Sequence, residues 1–252
     1  MKLVILLTLI AIGSRANDAH ACSCAMPRIE ISPSGTDAPI NSTVVVWLPS
    51  YESKGAQVSL SLRKKTSGDT VAVDFRNLGS AAVEVIELMP RAKLDANTEY
   101  EIVRVEKDGT NPVGQFTTGK HELTAAPVWK GIAKASYLKA VPVCCMCMTA
   151  DPYAAIELKE PIDAARAAQV RVAIWMAGAD GKIDYKKSPV TYHEGSAHLW
   201  LGHPSTCAPS NFTFPRSRAL RFGIKLVDLA GNASAASEFV LDTTKPIRPP
   251  AN

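Results

Sequence analysis

The feature that most restricts the fold is a period-two alternation of apolar and polar residues that recurs along the chain. Val58, Leu60 and Leu62 alternate with Ser59, Ser61 and Arg63, and Val71, Val73 and Phe75 alternate with Ala72, Asp74 and Arg76. Val170, Val172, Ile174 and Met176 form one side of a third run. Leu220, Phe222, Ile224 and Leu226 alternate with Arg221, Gly223, Lys225 and Val227 in a fourth. Successive strand side chains point to opposite faces of a sheet, so each run offers one row to a core and the other to solvent. Clusters of Gly, Pro, Asn and Asp separate the runs at 32–41, 67–69, 90–97, 107–112 and 177–182. Short strands with turns every ~8–12 residues predict an all-β chain of sandwich or barrel domains. Glu99–Glu106 breaks the pattern, with Tyr100 and Ile102 on one face and Val103 and Val105 on the other. Burial on both faces and a bulge are the alternatives there. Ala154–Lys159 and Ala164–Ala168 offer a short helix, which Pro161 keeps from becoming long.

Composition narrows the function classes. Hydrophobic residues make up 46% of the 252 and charged residues 21%, which excludes a disordered chain and provides for one or two packed domains. The formal net charge is only +4 and the basic residues are scattered, without the stripe that a nucleic-acid binder shows.

The first 21 residues have the three parts of a secretory signal: Lys2, the apolar run Leu3–Ile12 broken only by Thr8, and a polar stretch ending in Ala19-His20-Ala21. The apolar run is too short to span a bilayer, and no later segment reaches the ~18 apolar residues a transmembrane helix needs. The expectation is export to the periplasm, the cell surface or the medium. Cys22 follows directly, so a lipid anchor at that residue is the alternative; Ala19, His20 and the long gap after Ile12 oppose it.

All six cysteines lie beyond residue 21: Cys22, Cys24, Cys144, Cys145, Cys147 and Cys207. An even number in an exported chain points first to disulfides. Neighbours within Cys144-Cys145-Met146-Cys147 bridge one another only with strain, because a disulfide needs suitably directed β-carbons. Cys22, Cys24 and Cys207 supply one partner for each, so the parsimonious expectation is that they staple onto the 144–147 segment. Cys22 or Cys24 would then lie within ~7 Å, Cα to Cα, of that trio. The enclosed loop would contribute up to ~4–5 kcal/mol in the chain-entropy picture.

Residues 34–119 carry three motifs in order. The first is Gly35-Thr36-Asp37-Ala38-Pro39-Ile40-Asn41-Ser42-Thr43, followed by apolar Val44–Leu48. The second is Leu94-Asp95-Ala96-Asn97-Thr98-Glu99-Tyr100, and the third is Phe116-Thr117-Thr118-Gly119. Together they resemble a bacterial immunoglobulin-like domain of the S-layer (SbsA-type) and surface-protein kind. Residues 125–244 resemble the same class more weakly, through Asp228-Leu229-Ala230-Gly231-Asn232, which is similar to a turn near the end of many such repeats. The resemblance implies two tandem Ig-like β-sandwiches. They would follow the cleaved signal at 1–21 and a Cys-bearing segment at 22–33, join at 120–127, and end in a Pro-rich tail at 245–252.

The sharpest chemical candidate is a soft-metal site. Cys144, Cys145, Cys147 and Met148 are thiolate and thioether ligands suited to copper(I) or zinc, and His193, His198 and His203 could add imidazoles. The five-residue histidine spacing fits neither strand nor helix, and structural zinc uses paired C-x2–4-C units that are missing here. Disulfides are therefore preferred and no cofactor is expected. Ser61-Leu62-Arg63-Lys64 and Ser136-Tyr137-Leu138-Lys139 fit S-x-x-K without its companion motifs, and nucleotide-binding, zincin and nucleophile-elbow patterns do not occur. Asp180-Gly181-Lys182-Ile183-Asp184 reads as a turn rather than a calcium loop. Trp47, Trp129, Trp175 and Trp200 are available for stacking on a ligand or for packing between domains. Trp175 lies opposite the Val170–Met176 apolar row, so it is either exposed or in a sheet buried on both faces. The sequons at Asn41, Asn211 and Asn232 carry little meaning in a bacterial chain, which the resemblance implies. The expectation is a non-catalytic, disulfide-stapled binding or structural protein of the cell envelope, with a protein or polysaccharide partner. The alternative is a periplasmic copper- or zinc-binding protein.

Overall fold

A computed structural model describes residues 29–49, 59–78, 83–107, 109–139, 152–194, 199–202, 212–215 and 218–247. The first half forms β1 (Glu30–Ser32), β2 (Gly35–Ala38), β3 (Val44–Pro49), β4 (Ser59–Lys64), β5 (Val73–Asn77), β6 (Val83–Pro90), β7 (Glu99–Glu106) and β8 (Gly109–Thr118). They make one sheet in the order β1-β3-β6-β5 and another in the order β2-β8-β7-β4, with β2 parallel to β8 and the other pairs antiparallel. First, second, fifth and fourth strands on one sheet, and third, sixth and seventh on the other, is the immunoglobulin arrangement once β1 and β2 count as one split strand. Tyr100, at the start of β7, is buried, and its hydroxyl accepts a hydrogen bond from the Asp95 amide at 2.8 Å, as at the corner of an Ig sandwich. The irregularity in Glu99–Glu106 is a bulge, with the register shifting between Ile102 and Val103.

The second half forms β9 (Ile132–Leu138), β10 (Tyr153–Leu158), a one-turn helix α1 (Ala164–Ala167), β11 (Val170–Met176), β12 (Thr191–Glu194), β13 (Leu199–Gly202), β14 (Ala219–Asp228) and β15 (Ser237–Asp242). Its sheets run β13-β10-β9 and β12-β11-β14-β15. The fourth strand stays beside the third, which makes this sandwich fibronectin type III-like rather than a copy of the first. The short helix expected at 154–159 is instead β10: Ala154, Ile156 and Leu158 alternate into the core, and the small Ala residues had masked that period.

Alternation accounts for both interiors. Val44, Val46, Leu48, Leu60, Leu62, Leu88, Ile102 and Phe116 fill the first, and Val172, Ile174, Leu201, Phe222, Ile224 and Leu226 belong to the second. Phe75 departs from expectation: it continues the Val71/Val73 row on edge strand β5 but is 54% exposed. Both β3 and β11 are buried on their second face as well. Val45, Trp47, Leu78 and Val85 of the first sandwich pack with Ala173, Trp175, Tyr192 and Val227 of the second. The four sheets therefore stack as layers, and Trp175 lies in a sheet covered on both sides.

Candidate functional site

The seam between the sandwiches is where polar groups gather. Arg171 alternates with Val170 and Val172, so an inward row on either side leaves its side chain facing the first sandwich. It is fully buried there. Its Nε donates to Ser32 Oγ (3.2 Å), Nη1 to Thr43 Oγ1 (2.8 Å), and Nη2 to the carbonyls of Ser32 and Thr43 (both 2.7 Å). Burial pulls its pKa down to about 10, opposed by Tyr192, Glu87 and Asp228, so it remains charged at neutral pH. Alongside, Trp47 Nε1 donates to the Tyr192 carbonyl (3.3 Å), and the Tyr192 hydroxyl donates to buried Glu87 Oε1 (3.4 Å). Glu87 Oε2 makes no hydrogen bond but lies 3.4 Å from Arg76 Nη1, an ion pair at the seam's edge. Burial, then Glu87, pushes the Tyr192 phenol up to about 12.

The end of the first motif, Asn41–Thr43, and the Asp228–Asn232 turn meet at this seam. Asp228 Oδ1 accepts from the Ala230 and Asn232 amides, closing the turn in which Gly231 takes φ 87°. Asn232 Nδ2 then donates to Leu123 O (3.1 Å), and Asn41 Nδ2 donates to the same carbonyl (2.8 Å) while its Oδ1 accepts from the Leu123 amide (3.1 Å). The Thr43 amide donates to Leu229 O (2.7 Å). One residue of the connecting segment is thus held from both sandwiches. The amide nitrogens of Asn41 and Asn232 are thus both engaged within the fold.

Two adjoining depressions open beside the seam, both lined by Ser34 and Ala168. One, of about 220 Å³, has Ile31, Trp47 and Arg171 in its walls; the other, of about 170 Å³, has Asp37, His121 and Gln169. Asp37 holds φ 68°, and its Oδ1 is 3.6 Å from His121 Nδ1, both side chains being solvent-exposed. Nothing in the spacing of Asp37 and His121 marked them as neighbours; the β2–β8 pairing brings them together. On the outer face of β14, Tyr185 covers Gly223 and meets Trp175 edge-on at 5.4 Å. Its hydroxyl donates to Glu238 (3.0 Å), with Lys225 Nζ 4.3 Å from the ring centre.

The sequence candidates distribute unevenly. Cys22, Cys24, Cys144, Cys145, Cys147, Cys207, Met148, His198, His203 and Asn211 lie outside the described residues, as does the signal segment. His193 sits on β12 in register with Val172. Among the described residues, no group of three or more His, Cys, Asp and Glu could hold a metal ion, and no helix is long and apolar enough to cross a membrane. Ser61 and Ser136 are half-buried strand residues on β4 and β9, without catalytic company. Trp47 and Trp175 pack in the seam, and Trp129 donates to Ala235 O (2.9 Å), so all three are used for packing. The Asp180 segment is a turn, with the Gly178 amide donating to Lys182 O.

No protein-family profile matches the chain, and no curated protein matches it. Solved structures align at low similarity. The chicken CNTN1 FN1–FN3 domains are 10% identical over 89% of this chain and 66% of theirs, at a TM-score of 0.28. The N-terminal Ig1-2 module of the Drosophila receptor protein tyrosine phosphatase DLAR is 14% identical over 86% of this chain and 100% of its own, at 0.27. A pullulanase from Anoxybacillus sp. LM18-11 is 8% identical over 83% of this chain, which spans only 25% of that enzyme, at 0.28. At such scores superposition carries no weight, and the fold rests on the strand order itself.

Proposed function

We propose that the chain is an exported, non-catalytic binding or structural protein of the cell envelope, akin to S-layer-type bacterial Ig-like proteins. The observation that supports this best is the seam. Two sandwiches held face to face by a buried arginine, two tryptophans and a doubly bonded linker form a stiff unit, which suits presentation or scaffolding. The signal pattern at 1–21 supplies the export part of the proposal. Incubating the purified chain with peptidoglycan, envelope polysaccharide and envelope protein extracts is the direct test. Retention on one of them is expected, and turnover of any small substrate would refute the non-catalytic assignment.

The disulfide staple belongs to the same proposal. Tyr153 pairs with Leu138 on one side and Gly202 on the other, so the ends of the strands flanking 139–152 and following 202 lie side by side. That placement favours Cys207 bridging to the 144–147 trio, with Cys22 and Cys24 taking the other two. Peptide mapping of unreduced protein should find those links. Free thiols together with stoichiometric copper or zinc after dialysis would instead establish the metal-binding alternative, which rests on five consecutive positions holding Cys144, Cys145, Met146, Cys147 and Met148.

A further inference from the structure

We infer that the depression beside Arg171 is a binding site for an oxyanion, a carboxylate or phosphate group. Arg171 is a fully buried cation whose four hydrogen bonds all go to neutral oxygens of Ser32 and Thr43. None of the ion pairs among the described residues includes it. The buried carboxylates that act on it from a distance are occupied elsewhere: Asp228 closes its own turn, and Glu87 answers Tyr192 and Arg76. Buried charges are ordinarily paired, because an unpaired one forfeits its hydration without a counter-charge in return.

The surroundings fit an anion completing that pair. Arg171 is among the residues that line a solvent-connected depression of about 220 Å³, and its Nη1 makes one of the two hydrogen bonds it can donate. Exposed Ser34 adds a hydroxyl at the same depression, while Ile31 and Trp47 give it an apolar side and lower its effective dielectric. A guanidinium fork matches carboxylate and phosphate oxygens better than other acceptors. Glu194 stands opposite Arg171 in the strand register, so the experiment must separate an external anion from neutralisation within the chain. The site does not depend on export or on envelope binding, and it can fail while that function holds.

The test uses the full chain labelled with nitrogen-15. The Arg171 Nε–Hε resonance is followed while acetate, or separately inorganic phosphate, is titrated in at constant ionic strength and pH 7. A saturable shift in the millimolar range is expected with at least one probe, and the probe that responds identifies the oxyanion. Ala168→Asp, at an exposed rim position, should abolish the shift, because its carboxylate both repels the probe and offers Arg171 the counter-charge in its place. Ser34→Ala should weaken the apparent Kd by roughly 3–10-fold, the loss of one hydrogen bond. An Arg171 signal that neither probe moves, as neutralisation by Glu194 would produce, overturns the site. So does a shift that never saturates, or one that survives unchanged in Ala168→Asp.

Discussion

Inside each sandwich the buried side chains are almost wholly apolar, whereas the seam between them buries Arg171, Glu87 and the Tyr192 hydroxyl among Val45, Trp47, Val85, Ala173 and Trp175. The two kinds of interior specify structure differently. An apolar core tolerates rearrangement while volume and pattern are kept. A seam with hydrogen-bonded buried groups has one satisfying alignment, because any slip leaves donors or acceptors without partners. The cores make two sandwiches; the seam fixes how they sit together.

The largest effect that would break this contrast is expected at Arg171. Arg171→Ala strands the oxygens of Ser32 and Thr43 and opens a cavity, destabilising by about 5 kcal/mol. Urea unfolding followed by fluorescence and circular dichroism should then split into two transitions where the parent shows one. Arg171→Met, which refills the volume but donates no hydrogen bond, should recover only the cavity part of the loss. Trp175→Ala is expected to cost about 3–4 kcal/mol and to loosen the seam likewise. Leu48→Ala, in the first core, should cost a comparable ~2–4 kcal/mol yet leave the transition single. If core and seam variants unfold alike, the distinction between the two interiors is wrong.

Smaller effects sharpen the comparison. A Cβ at Gly223 would collide with the ring and hydroxyl of Tyr185, so Gly223→Ala should destabilise by about 1–3 kcal/mol, measured as a lowered urea midpoint. Tyr192 supplies a pH signature. Its folded pKa of about 12 lies above the usual value of 10, so between those pH values the folded chain keeps a proton that the unfolded chain releases. Its contribution is full below pH 10 and fades as pH rises toward 12, by at most about 1.4 kcal/mol per pH unit. Arg171 runs the other way, because burial holds its folded pKa near 10, below the ordinary arginine value, and alkaline pH relieves its burial. Tyr192→Phe should therefore make stability fall less steeply across pH 10–12 than in the parent. An unchanged slope would mean that the phenol is not buried against Glu87.

Much of the fold was legible because alternation is local. The rows at 170–176 and 220–226 state which side chains enter a core, and Asn97-Thr98-Glu99-Tyr100 announces a corner before a strand. β10 is hidden in the sequence because Ala154 and Ala155 are identical in hydrophobicity, and its period appears only against β9 and β13. The candidate site was far less legible. Asn41 and Asn232 were visible as turn residues, but that both donate to Leu123 O is a fact of distance in space.

By itself the sequence determined that strands would form, where most of them turn, and which face of each is apolar, since these follow from nearest-neighbour chemistry. It also restricted Trp175 to two fates. Only the tertiary structure chose between them: packing the outer face of one sandwich on the other took Trp175 out of water and enclosed the charge of Arg171. The strand period states that Arg171 points away from its own core, toward solvent or toward another surface. A long-range contact decides which, because it is the oxygens of Ser32 and Thr43, distant in the chain, that replace the water its guanidinium gives up.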